Sequence, residues 1–168
     1  CLNYMYYLCF NYLHYIIFTI EFLYRKIFIR KGITMKNIIY NDGGRKESGR
    51  KGSAGDCGVR AMAIALGLDY DTCYKELAEA NKDAGYKKSA RNGLMKEVFQ
   101  NVLKKHGWTW RKAPTFPGRK AYASDLPQGT YICRMSRHYA AIIDGVLHDT
   151  FNSSGKMVYG YWAKDNIK

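Results

Sequence analysis

The apolar residues of this chain change their spacing once, at Gly107. Before it they recur every three to four positions: Val59, Met62, Ala63 and Leu66, then Tyr70, Cys73, Tyr74, Leu77 and Ala80, then Leu94, Val98, Val102 and Leu103. Each set forms one face of a helix, predicted over 57–66, 70–81 and 94–106. Asp56 and Asp69 stand where N-caps belong, and Gly67 and Gly107 where helices stop. Past Gly107 the period falls to two. Trp108-Thr109-Trp110 alternates, and strands follow over 130–135, 138–143, 146–151 and 157–162. A further short apolar run, 36–40, reads as a strand. Helices first and antiparallel strands afterwards make an α+β domain, with N-terminal helices packed on a C-terminal antiparallel sheet.

Asp144-Gly145 lies between two apolar strands, the signature of a two-residue hairpin loop. That loop sets Ile143 opposite Val146, and so Ala140 opposite Asp149 and His138 opposite Phe151. With side chains alternating across the sheet, His138 and Asp149 share a face as diagonal neighbours, about 7–8 Å apart at the backbone. A carboxylate there can hold one imidazole nitrogen and leave the other free as a base. His148 falls on the opposite face.

Cys57 is the first residue of its predicted helix. A thiol there meets unpaired backbone N–H groups and the positive end of the helix dipole, which favour the thiolate. The same N–H groups can receive an oxyanion. Cys57, His138 and Asp149 are therefore the candidate nucleophile, base and orienter. The same three side chains also make a possible catalytic zinc set. Cys73 lies on an apolar stripe and reads as core. His106, at a helix C-terminus, reads as a surface residue. Lys51, Ser53 and Asp56, just before the thiol, are the polar residues expected beside the oxyanion or substrate.

The chain has 168 residues and a formal charge of +13, from 27 Lys+Arg against 14 Asp+Glu. Residues 45–53 are basic and glycine-bearing, a loop with Arg45, Lys46, Arg50 and Lys51 to cradle an anion, but without phosphate-loop spacing. Basic clusters at 45–51, 87–91 and Arg111-Lys112, with Trp108, Trp110 and Tyr86, outline an alternative nucleic-acid surface. Five cysteines in no C-x-x-C pattern fit a reducing, cytoplasmic compartment and argue against a zinc ribbon or redox motif. No cofactor motif is present. Residues 1–34 differ in kind, being rich in Tyr, Phe, Ile and Leu. They read as a conceptually translated leader ahead of a start at Met35, since codons for Lys31-Gly32 can resemble a ribosome-binding site. The alternatives are a membrane anchor over 2–24, with basic residues 25–31 on the cytoplasmic side, or a buried helix. Residues 35–168 then form the single domain.

A cysteine opening a central helix, followed by His and Asp on neighbouring antiparallel strands, resembles the papain-like cysteine peptidase fold, and within it the compact C39-like peptidases. Asp42-Gly43-Gly44-Arg45, Gly55-Asp56-Cys57, Arg91-Asn92-Gly93, Ser136-Arg137-His138, residues 143–150 and residues 158–162 together resemble a group of small phage and prophage cysteine-peptidase-like proteins. The resemblance covers about residues 40–162. It implies a thiol hydrolase of amide, peptide or isopeptide bonds with Cys57 as nucleophile, His138 as general base and Asp149 as orienter. It also implies a protein or peptide substrate in the bacterial host cytoplasm. Papain-like enzymes usually place a Gln before the Cys as an oxyanion donor. No Gln precedes Cys57, so Lys51, Ser53 or a backbone N–H has to substitute, or the scaffold is an inactive binding module.

Overall fold

The computed structural model describes residues 38–86 and 89–165. The leader and anchor readings of residues 1–34 and the start at Met35 lie outside these residues. Among the described residues three α-helices and six strands run in the order β1 (Ile38–Tyr40), α1 (Cys57–Leu66), α2 (Tyr70–Asp83), α3 (Lys96–Lys105), β2 (Trp108–Lys112), β3 (Thr130–Met135), β4 (His138–Ile143), β5 (Val146–Asp149) and β6 (Val158–Lys164). The α+β expectation holds. The sheet has the order β1-β5-β4-β3-β6-β2 and is mixed rather than purely antiparallel. The exception is the edge strand β1, which pairs parallel with β5, Ile38 opposite Leu147. Among the described residues no helix is long and apolar enough to cross a membrane.

The alternation along each strand sorts the core into two layers. Ile132 and Trp162 are paired partners that face the helices, where they meet Val59, Met62, Leu77 and Phe99. Their neighbours Cys133 and Tyr161 face the other way, into a cluster with Ala140, Ile142 and Leu147 that is closed by Ala123 and Leu126 from the 113–127 connection. Trp108 is 4 % exposed, and the Trp110 ring lies 4.6 Å from Trp162 with the Lys96 ammonium 4.3 Å over it. Trp108 is thereby taken out of the stacking surface read in the sequence, and the half-buried Trp110 ring is engaged by Trp162 and Lys96. Gly160 explains how Trp110 fits. A Cβ there would stand 2.3 Å from the Trp110 ring.

Two sequence expectations change. Asp56 does not cap α1 with its side chain. Its carboxylate is 1 % exposed and turns back to accept from Arg45 Nε at 2.7 Å and Tyr70 Oη at 2.5 Å, with Arg60 Nε at 3.2 Å. Only its backbone carbonyl serves the helix, accepting from the Arg60 N–H at 3.1 Å. The basic loop is likewise committed to structure. Besides the Arg45–Asp56 pair, Arg50 bonds Asp71 at 2.7 Å and lies 3.8 Å over the Tyr74 ring. Two of the four cations expected to cradle an anion are thus neutralised within the fold. Gly43, at φ +67, brings this segment within 3.0 Å of the α1 backbone, measured from where a Cβ would lie.

Candidate active site

The site forms where the first residue of α1 meets the first residue of β4. The Asp144-Gly145 hairpin makes this possible. Both residues take positive φ, +47 and +78, as its two-residue loop demands. Ile143 pairs with Val146, Ile142 with Leu147 and Ala141 with His148, the register read from the sequence. His138 and Asp149 consequently share a side of the ribbon. His138 Nε2 and Asp149 Oδ2 are 2.6 Å apart, with residue exposures of 8 % and 6 %. His148 points elsewhere. Its Nδ1 is buried without a hydrogen-bond partner, and burial holds its pKa below the ordinary histidine value.

Asp149 is itself held. Ser153 Oγ donates to Oδ2 at 2.5 Å and the Thr150 N–H to Oδ1 at 2.7 Å. Burial pushes this carboxyl up, but the hydrogen bonds from His138 and Ser153 outweigh it and keep the group below its ordinary value. With Nε2 bound to Asp149, Nδ1 is the nitrogen left for the thiol. Burial pushes His138 down, while hydrogen bonds to Asp149 and Cys57 and their charges raise it to about 9. The Phe151 ring, 4.8 Å from the imidazole, covers it.

Cys57 answers in kind. Burial pushes its pKa up, and hydrogen bonds to the His138 ring and the Tyr139 backbone, with the charges of His138 and Arg60, bring it net below the ordinary value. The other described cysteines go the opposite way. Burial raises Cys73 to about 12 and moves Cys133 upward as well. Cys57 alone of the three combines partial exposure with a base in contact. Because the Asp56 carboxylate is turned away, no side chain caps the first turn of α1. Its amides keep their positive end directed at the sulfur.

A cleft of about 410 Å³ opens at the thiol, walled by Gly55, Cys57 and Gly58, by Asn92-Gly93-Leu94, and by Arg134, Met135 and residues 137–139. Lys51 and Ser53 are exposed and do not line it. Their carbonyls accept from Arg45 and Arg91 instead. Asp56 is buried in its own ion pairs and does not line it either. Asn92, on the facing wall, is the one side-chain amide in the cleft lining. Asn92, Ser153, Arg134 and Arg137 carry no local sequence signal for a role here, although Arg91-Asn92-Gly93 and Ser136-Arg137-His138 mark two of the segments. His106 sits at the end of α3 with Nε2 2.9 Å from Glu76, away from this site. No group of three or more His, Cys, Asp or Glu among the described residues is arranged to hold a metal ion.

Comparison with protein-family models, curated proteins and solved structures finds no match to this chain.

Proposed function

We propose that the protein is a cysteine-dependent hydrolase of the papain-like type, acting on an amide, peptide or isopeptide bond in a bacterial cytoplasm. One observation carries this reading. Cys57 and His138 line the same cleft, and the imidazole is held at its Nε2 by a buried aspartate 2.6 Å away. His138 takes the Cys57 proton, giving a thiolate–imidazolium pair. The thiolate attacks the carbonyl carbon, and the oxyanion faces the amides at the start of α1. The C–N bond breaks as His138 passes its proton to the leaving nitrogen. Water, deprotonated by His138, then attacks the thioester and releases the acid and the thiol. The uncapped first turn of α1 and the Asn92 amide in the cleft lining are the donors available in place of the usual upstream Gln.

Iodoacetamide tests this directly. Cys57 should be alkylated well below the pH at which an ordinary thiol reacts, Cys57→Ala should abolish that fast labelling, and His138→Gln should slow it. Equal fast labelling of wild type and Cys57→Ala would exclude this thiol as the nucleophile. The alternative reading, an inactive scaffold that binds nucleic acid or a host protein, keeps in its support the positive charge and the exposed Tyr86 ring.

A further inference from the structure

The cleft around Cys57 is charged in one sense only. Two guanidinium groups, Arg134 on β3 and Arg137 in the β3–β4 turn, line it, and no Asp or Glu does. Arg137 is exposed, takes φ +52, and has no carboxylate partner among the described residues. That left-handed conformation is uncommon for a residue with a side chain. Arg134 is held by aromatic groups rather than by an acid. It stands opposite Tyr139 in the β3–β4 pairing and lies 5.6 Å over the Tyr159 ring. Neither contact cancels its charge. Glu97 on α3 acts on Tyr139 electrostatically from an exposed position outside the lining.

The other end of the cleft is apolar. Asn92, Gly93 and Leu94 also line a second hollow of about 450 Å³ with Tyr86, Met95 and Asn81. The shared 92–94 segment borders both, so the groove is two adjoining hollows, with Cys57 in one and Met95 in the other. Tyr86 and Met95 are 39 % and 44 % exposed, an apolar surface offered outward beside the thiol.

Building on the hydrolase reading, we infer that this groove takes an extended acidic peptide segment, its Asp or Glu beside Cys57 against Arg134 and Arg137 and a bulky apolar residue against Leu94 and Met95. A planar guanidinium matches a carboxylate with two parallel hydrogen bonds, so a pair of unneutralised arginines selects for that group over an amide of the same shape. A nucleic-acid phosphate would meet the same charges. The apolar hollow favours the peptide, because a leucine-sized side chain gains by leaving water there and a phosphate does not.

Binding to Cys57→Ala separates this inference from the hydrolase reading, since it needs no nucleophile. The probes are fluorescein-labelled hexapeptides of one length with Leu two positions from a central Glu, Gln or Lys, read by fluorescence polarisation. The Glu peptide should bind about tenfold more tightly than the Gln peptide, the gain of one charge-assisted hydrogen-bonded contact. The Lys peptide should bind most weakly. Replacing Leu by Gly in the Glu peptide should also weaken it. Arg134→Gln combined with Arg137→Gln, with folding checked by its urea midpoint, should bring the Glu-to-Gln ratio close to one. Equal binding of Glu and Gln peptides, or a Glu preference that survives in the double variant, overturns the inference. So does tight binding of a thymidine oligonucleotide with no binding of the Glu peptide.

Discussion

Cys57, Cys73 and Cys133 carry the same side chain and differ in what touches it. Two are enclosed by apolar neighbours, and their thiols are pushed up. The third is also mostly enclosed, yet its imidazole partner reverses the outcome. The partner depends in turn on Asp149, which Ser153 and Thr150 fix. The chain of dependence predicts the effect of Asp149→Ala, since an Asn could still orient the ring as it does in papain-like sites. Without the carboxylate His138 loses the contact that raises it to about 9, so the imidazolium is less stable and the thiolate loses its counter-charge. The pH midpoint of Cys57 alkylation should therefore move upward toward the ordinary thiol value of 9.0. Hydrolytic turnover should fall by roughly 10⁴-fold, the scale seen when the orienting aspartate of a serine triad is removed. An alkylation profile that stays in place would show that Asp149 does not act through His138.

At the scale of elements, Asp56 joins three parts of the chain: the loop through Arg45, α1 through Arg60 and α2 through Tyr70. Asp56→Ala leaves two arginines, 12 % and 17 % exposed in their side chains, facing a void, and should cost about 3 kcal/mol in urea unfolding. A loss below about 1 kcal/mol would mean that water replaces the carboxylate. The same residue marks where sequence reasoning stops. Asp before an apolar periodic run reads as an N-cap, because capping is a local preference. Arg45 and Tyr70 compete for the carboxylate from a distance that no local rule sees. The hairpin is the opposite case. Asp144-Gly145 dictates its own φ values, and those fix the register that brings His138 to Asp149. Period alone placed all three helices and the C-terminal strands to within a few residues. It carried no information on the parallel pairing of β1 with β5, which rests on contacts between the two ends of the domain. Ser153 was equally illegible, since it acts only through the folded position of Asp149 and belongs to no spaced motif.

For the whole molecule, the thiol and the imidazole come together only on folding, and this gives global stability a distinctive dependence on pH. Take the groups in turn. His138 has an ordinary value of 6.5 and about 9 in the fold, so alone it contributes stability that is complete below 6.5 and lost as pH rises through about 9. Cys57 is depressed from 9.0, so alone it contributes stability present above 9.0 and lost as pH falls through its folded value. Above the lowered Cys57 value and below about 9 the two oppose each other. The unfolded chain there holds a proton on sulfur and the folded chain one on nitrogen. The number of bound protons is the same, so the pair contributes no slope to stability. Cys73 and Cys133, both raised, stay protonated through this window, and His148, lowered, exerts its effect below it. Removing the sulfur breaks the balance. In Cys57→Ala the folded protein still takes up the His138 proton, supported by Asp149, while the unfolded chain has no thiol proton to count against it. Urea midpoints of Cys57→Ala should thus fall, relative to wild type, as pH rises toward 9. Parallel profiles for the two proteins would mean that no proton passes from Cys57 to His138 on folding, and the resting site would then keep its thiol protonated.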